Sequence, residues 1–294
     1  MLSSLSIIAG ANLAAESLPL QLLGEIDWLT NSVLVALLVV GIVLWFSRRA
    51  TRDVKIVPDG SQNAFEAVLE MLYGTLEEIV GPKMVSKIFS LLATLFLFIL
   101  TSNWFGLLPG VGSIGFGEKT GPLTLSVVHE PLLRPATADV NMTLAMALVF
   151  MVLWFYWSIQ EMGVGGFLKH MFGVKGGLKG FMALALAPIF FAVGLIEVVS
   201  IAFRPVSLSL RLFGNVFAGE VLLTTMLTLG KTLGFPTFFA YLASIIIPIP
   251  FYFLELLVGL LQALVFTLLC AVYVALSTTH DEEDHDAHTD PHHA

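Results

Sequence analysis

The amino-acid sequence predicts an all-α polytopic membrane protein. Hydrophobic residues make up 57% of its 294 residues and charged residues only 12%, about half the charged share of an ordinary soluble domain. The mean hydropathy is +0.89, and several uncharged stretches reach the length of about 20 residues that a membrane-spanning helix needs. These observations exclude a soluble globular fold, because most of the chain requires an apolar solvent.

Three of the uncharged stretches each have the length of one membrane span. They cover residues 28–47, 88–117 and 140–160, and the second is apolar as far as Pro109. A hydrocarbon core of about 30 Å needs about 20 helical residues. Each stretch therefore predicts one transmembrane helix.

Two further stretches are too long for one upright span. Residues 180–230 contain four charges, and residues 232–279 contain one, Glu255. As helices they would each be about 70 to 77 Å long, more than twice the thickness of the hydrocarbon core. Each is therefore either a hairpin of two spans or one long, tilted and bent helix, with candidate breaks at Pro205, Pro248 and Pro250.

A helix of another kind is predicted between the first two spans. From Gln62 to Val80, apolar residues recur at helical spacing opposite four glutamates. We expect this amphipathic helix to pack on a protein surface or at the membrane shoulder rather than to span the bilayer.

The basic residues indicate the orientation of the chain. Nine of the 14 follow the first or the third span, three lie on the other side (Lys119, Arg134 and Lys231), and two lie within apolar sequence. By the positive-inside rule, the nine face the cytoplasm. The N-terminus is therefore predicted to be outside and the C-terminus inside.

The acidity of the chain is concentrated at its C-terminus. Residues 280–294 hold six acids, no base and five of the seven histidines, whereas the other 14 basic and 16 acidic residues leave a net charge of −2. We expect a solvated, disordered tail rather than a metal-binding tract. The main body has no positive field for a nucleic acid, so nucleic-acid binding is excluded.

Three short sequence features do not indicate chemistry. Residues 110–115 match G-x-G-x-x-G but follow a membrane span rather than a strand, which predicts a flexible outer loop. The same residues do not match G-x-S-x-G, and residues 280–285 do not match H-E-x-x-H, so intramembrane proteolysis has no motif. Cys270 lies in apolar sequence and is predicted to be a small buried hydrophobe.

A polar stripe runs along the first long stretch. At helical spacing on one face it contains Glu197, Ser200, Arg204, Ser207, Arg211 and Asn215. Ionisable residues at membrane depth cost on the order of several kcal/mol, so the stripe indicates a hydrated or protein-facing pathway. A buried ion pair between Glu197 and Arg204 is the alternative for those two residues. Arg211 has no carboxylate near it on its own face, so we expect its counter-charge on another chain.

Two isolated carboxylates accompany the stripe. Glu220 lies nine residues after Arg211, on the opposite face of the same helix. In the last stretch, Glu255, Gly259 and Gln262 share one face. Carboxylates on successive helices predict a proton relay, and the alternative is that either glutamate caps or bonds a neighbouring helix.

The segment from Arg204 to Glu220, RPVSLSLRLFGNVFAGE, closely resembles the signature of subunit a of F-type ATP synthases. Supporting similarities are QNAFE at 62–66, SNWFGLLP at 102–109, ADVNMT at 138–143 and the stretch from Gln262 to Tyr273. Together they cover about residues 58–278.

This resemblance implies that each long stretch is one tilted helix lying against a rotating ring of c subunits, which gives five membrane spans. It implies that Arg211 is the essential stator arginine. It also implies that two offset aqueous half-channels are lined by Glu197, Ser207, Asn215, Glu220, Glu255 and Gln262. Many members carry a histidine where this chain has Glu220 or Glu255, so a histidine relay is not carried over.

The implied partners are the c ring, the peripheral-stalk b subunits, the rest of the ATP synthase and the lipid of a bacterial-type inner membrane. The chain is not implied to be an enzyme by itself, and no cofactor or metal is expected. The expected organisation is an outer segment over 1–27, one membrane domain over 28–279 and the acidic tail over 280–294. The rival class is a free-standing ion transporter or channel without a ring.

Overall fold

The computed structural model describes residues 31–278 apart from 53, 109–110, 112–114, 117–129, 132, 173–180 and 235. The helices are α1 (Asn31–Ala50), α2 (Gly60–Val80), α3 (Pro82–Gly106), α4 (Val140–Phe172), α5 (Phe181–Thr232), α6 (Thr237–Ile246) and α7 (Pro248–Thr278). A 3-10 turn covers Ala136–Ala138, and two short strands, β1 (Gly115–Phe116) and β2 (Glu130–Pro131), pair antiparallel. The predicted segments 1–27 and 280–294 lie outside the described residues.

Among the described residues, five spans are long and apolar enough to cross a membrane, which confirms the predicted all-α polytopic fold. They lie in α1, α3, α4 and α5, with α6 and α7 together forming the fifth. Helix α3 begins at Pro82, earlier than the uncharged run predicted. Lys83 and Lys87 end that run without ending the helix, because lysine is a good helix former.

Each of the two long stretches forms one span rather than a hairpin. Helix α5 continues for 52 residues with Pro188 and Pro205 inside it, so the candidate break at Pro205 does not occur. The last stretch is interrupted at Ile247, and Pro248 then begins α7. Proline is tolerated at the first turn of a helix, where its missing N–H has no partner to lose.

Helix α4 changes direction near its end. Gly163 has φ 70° and ψ 162°, which are not helical values, although helical structure continues on both sides of it. A residue with a side chain would be strained at this positive φ. The glycine therefore separates a membrane-length segment from a short final one.

The amphipathic helix is confirmed as α2. It buries Leu72 and Leu76 completely against a core that also includes Phe96, Phe150 and Phe266 from α3, α4 and α7. Cys270 is fully buried in the same core, as predicted. Five of the seven described helices thus share one apolar interior, since Leu208 and Leu212 of α5 also belong to it.

Two sets of contacts distinguish the ends of the bundle. At one end, called the basic end below, Lys87 at the start of α3 forms an ion pair with Glu161 of α4. At the other, called the distal end, Thr137 of the 3-10 turn donates to Asn103 near the end of α3, over 2.8 Å. Because α5 begins after α4 has reached the basic end, Glu197 lies nearer that end and Glu220 nearer the distal end.

Candidate functional site

Arg211 lies on an exposed face of α5. Its neighbours Leu208 and Leu212 are 1% and 0% exposed and fix this part of the helix to the core, whereas the guanidinium turns outward. Among the described residues, no side chain forms an ion pair or a hydrogen bond with it. A permanently charged guanidinium is therefore presented on an otherwise apolar surface.

One turn later, α5 is joined to α7 by a pair of amides. Asn215 Nδ2 donates to Gln262 Oε1 over 2.5 Å. Gln262 is only 5% exposed, and its Nε2 is buried without a partner among the described residues. The bond brings together two residues that lie 47 positions apart in the sequence, both of which the sequence analysis assigned to the pathway.

The first of the two carboxylates is not isolated. Arg134, which lies just before the 3-10 turn, donates from Nη2 to Glu220 Oε2 over 3.1 Å. This contact realises the alternative in which a glutamate bonds a neighbouring segment. From the sequence, Arg134 is only one of the bases on the outer side, because nothing in local spacing relates it to Glu220.

The second carboxylate, Glu255 of α7, packs against α5 at Gly219. A Cβ atom placed on Gly219 would overlap the Glu255 carboxylate, so the close approach requires glycine at this position. Glu255 is half-buried. Since Gly219 directly precedes Glu220 in α5, Glu255 of α7 lies against the turn of α5 that carries Glu220.

Nearer the basic end, Arg204 lies between two aromatic rings. Its guanidinium carbon is 5.4 Å from the ring centroid of Trp154 and 4.7 Å from that of Tyr273. Glu197 interacts with Arg204 electrostatically, but the two do not form a salt bridge. The ion pair considered as an alternative for these two residues is thus not a direct salt bridge, and cation–π contacts with Trp154 and Tyr273 add to the electrostatic interaction.

The remaining stripe residues lie on the open side of α5. Ser200 and Ser207 are exposed, like Arg211 and Asn215, whereas Glu197 and Arg204 are half-buried. The stripe thus follows the border between the buried and the exposed face of α5. Among the described residues, no group of three or more histidine, cysteine, aspartate or glutamate side chains could hold a metal ion.

A further polar network holds α7 in place at the distal end. Asn103 Nδ2 donates to the Gly259 carbonyl over 3.1 Å, and Trp104 Nε1 donates to the Leu256 carbonyl over 3.1 Å. Both accepting carbonyls lie within about one turn after Glu255. Asn103 and Trp104 belong to a motif that is visible in the sequence. Their hydrogen-bond partners could not be predicted from it, because they depend on the packing of α3 on α7.

The charged and polar groups are ordered along α5. At about 1.5 Å per residue, Glu197 lies about 21 Å from Arg211 toward the basic end, and Glu220 lies about 14 Å from it toward the distal end. Arg211 therefore lies between two polar groups at different positions along α5.

Fold and site together define an integral, polytopic membrane protein that keeps charged residues at membrane depth. The pattern of the ATP synthase A chain family matches residues 29–275. The chain belongs to this family.

Several curated relatives agree with this assignment. The chain is 32% identical to an ATP synthase subunit a of Protochlamydia amoebophila, over 84% of this chain and 80% of the relative. It is 31% identical to that of Gloeobacter violaceus, over 96% and 94%, and 33% identical to that of Moorella thermoacetica, over 83% and 86%. The similarity thus extends through nearly the whole length of these proteins.

Proposed function

We propose that this chain is the membrane stator subunit of an F-type ATP synthase and passes protons to and from carboxylates on a rotating c ring. The observation that carries the proposal is the position of Arg211, exposed on α5 between two separated polar groups. Names of the relatives and the family support membership of such a complex.

Helix α5 has the surface that a moving partner needs. In the apolar part of its span only 11% of the residues are buried, whereas 44% are buried in α3 and in the last span. Its open face carries Ile196, Phe203 and Leu210 beside the exposed Arg211. An apolar surface with one cation suits a ring of helices that each bring one carboxylate.

Charge energetics then give the mechanism. A protonated ring carboxylate is neutral and can travel through lipid, but beside Arg211 its ionised form is favoured by the adjacent positive charge. The proton leaves into one half-channel, and after rotation the next site takes up a proton from the other. Each charge that crosses gains about 2.3 kcal/mol per 100 mV of membrane potential.

The two half-channels are assigned from the groups along α5. Glu220, Glu255 and the pair of Asn215 with Gln262 line the outer one, and Glu197 and Ser207 line the inner one. Arg211 lies between them and blocks direct leakage, because its guanidinium stays charged at any physiological pH.

The orientation follows from the positive-inside rule. The basic end faces the cytoplasm of a bacterial-type inner membrane, so the N-terminus is outside and the C-terminus inside. The chain acts as one membrane domain over 28–279, contacts the peripheral-stalk b subunits as well as the c ring, and conducts ions without being an enzyme by itself.

The test is proton pumping in inverted membrane vesicles from cells whose only copy of this subunit is Arg211→Lys, normalised to assembled complex. We expect coupled transport and ATP synthesis to be nearly abolished although the charge is kept, because a compact ammonium cannot reproduce the geometry of a guanidinium. Near-normal synthesis would exclude the stator role. Purification in mild detergent completes the test, since a free-standing transporter would not travel with an ATPase.

A further inference from the structure

Glu220 is held by a residue that belongs to no membrane helix. Arg134 lies in the non-helical segment 133–135, and the bond from its Nη2 to Glu220 Oε2 is the guanidinium's one hydrogen bond to a described residue. The Arg134 side chain is only 16% exposed, and its Nε is buried without a partner among the described residues. A cation this far removed from water needs the carboxylate that faces it.

The segment that carries Arg134 is rigidly mounted. Pro135 packs against Gly106 so closely that a Cβ there would lie 2.7 Å from Pro135 Cγ. Thr137, fully buried, donates to Asn103, which also binds the Gly259 carbonyl of α7. The base of the Arg134 side chain is therefore fixed relative to α3 and α7, and Arg134 in turn can fix a side chain on α5.

Only one carboxylate oxygen of Glu220 is used. Oε2 accepts the bond from Arg134, whereas Oε1 accepts none from any residue that the structure describes. A glutamate side chain that rotates freely has many conformations, and one oxygen bound to a fixed guanidinium leaves few. The second oxygen is then presented in a defined position.

We propose that Arg134 is a positioning residue of the outer half-channel, which holds the Glu220 carboxylate by one oxygen and leaves the other free to exchange protons. Proton transfer needs donor and acceptor heavy atoms about 2.6 to 3.2 Å apart. A carboxylate that is not held in one conformation therefore transfers protons less often. The inference rests on the proposed function and adds to it a residue from the segment that connects α3 to α4.

The experiment measures proton pumping in inverted vesicles per assembled complex for Arg134→Gln and Arg134→Lys. We expect the glutamine variant to pump about tenfold more slowly. This loss is smaller than the roughly hundredfold loss that can follow when a reacting group is displaced by about 1 Å. Lysine keeps a charge and one donor within reach, so it should restore most of the flux. Normal pumping by Arg134→Gln would overturn the proposal.

A double substitution tests whether Arg134 acts through Glu220. In a Glu220→Asp background the shortened carboxylate no longer reaches the guanidinium, so adding Arg134→Gln should lower the flux little further. An equal additional loss in that background would overturn the proposal, because Arg134 would then act elsewhere. Failure of both Arg134 variants to assemble would also overturn it, since the role would be structural.

Two controls complete the design. Lys87→Gln removes the cation of another ion pair, at the opposite end of the bundle, and should leave pumping per assembled complex unchanged. Arg211→Gln separates the two hypotheses. If it pumps normally, the proposed function itself fails; if it is inactive while Arg134→Gln pumps normally, only the role of Arg134 fails.

Discussion

The carboxylate of Glu255 occupies the space beside Gly219 in which any other residue would carry its Cβ atom. This contact brings a glutamate of α7 onto the turn of α5 that also carries Glu220. The absence of one side chain therefore lets α7 bring Glu255 within contact of α5 one residue before Glu220.

Substitution of Gly219 by alanine should therefore impair proton flux. The added methyl group would displace the Glu255 carboxylate, and a displacement of about 1 Å can lower a rate by about a hundredfold. Gly74→Ala is the matched control, because Gly74 lies inside α2, away from the proposed ring surface, has open space around it and gains the same helix propensity. Pumping per assembled complex is the measurement, and equal flux in the two variants would contradict the expected displacement.

Glu220 and Glu255 should act together as proton carriers. Glutamine at either position should slow pumping, aspartate should retain part of it, and the double glutamine variant should be much slower than either single one. Histidine at either site should keep some activity, because imidazole titrates near neutral pH. Full pumping by the double variant would reduce both residues to structural hydrogen-bond partners.

Trp154 should stabilise the region around Arg204. Its Nε1 donates to the Tyr273 carbonyl over 2.9 Å, and its ring lies against the Arg204 guanidinium. Replacement by phenylalanine removes the bond and weakens the cation–π contact, so we expect a loss of about 1 to 3 kcal/mol in the free energy of unfolding. The measurement is detergent-induced unfolding of the purified complex. Trp45→Phe is the control, since Trp45 is 67% exposed, and an equal loss there would contradict the prediction.

Removal of residues 280–294 should leave proton conduction largely intact. A segment this acidic and poor in apolar residues cannot pack into a membrane domain. Vesicles with the truncated chain should therefore pump at the normal rate per assembled complex. A large drop in flux with unchanged assembly would indicate that the tail feeds the inner half-channel.

The sequence predicted the features that depend on neighbours along one helix. Hydropathy located α1 and α4, periodicity located α2, and spacing identified the stripe around Arg211, since a single helix determines which of its residues share a face. Contacts between distant segments could not be predicted in this way. The bond between Arg134 and Glu220 joins residues that lie 86 positions apart in the sequence, and no local pattern predicts it.

The case of Arg204 illustrates the same limit. Within α5, Glu197 is the nearest acid on the same face, so spacing offered an ion pair as an alternative to a hydrated pathway. The competing partners, Trp154 and Tyr273, come from α4 and α7 and depend on how three helices pack. A continuous α5 was likewise left open by hydropathy, because Pro205 permits either outcome.

In the proposed function, the length of α5 determines how far a proton moves within the membrane plane. Its apolar span of 43 residues is about 65 Å long, so it must run obliquely to fit within about 30 Å of hydrocarbon. Glu197 and Glu220 lie about 34 Å apart along this oblique helix, so a large part of their separation lies within the membrane plane. A hydrogen-bonded file of about eleven waters would be needed to join them. In the proposed function, a proton is therefore carried across this lateral distance more readily by a moving ring carboxylate than by a continuous chain of water molecules.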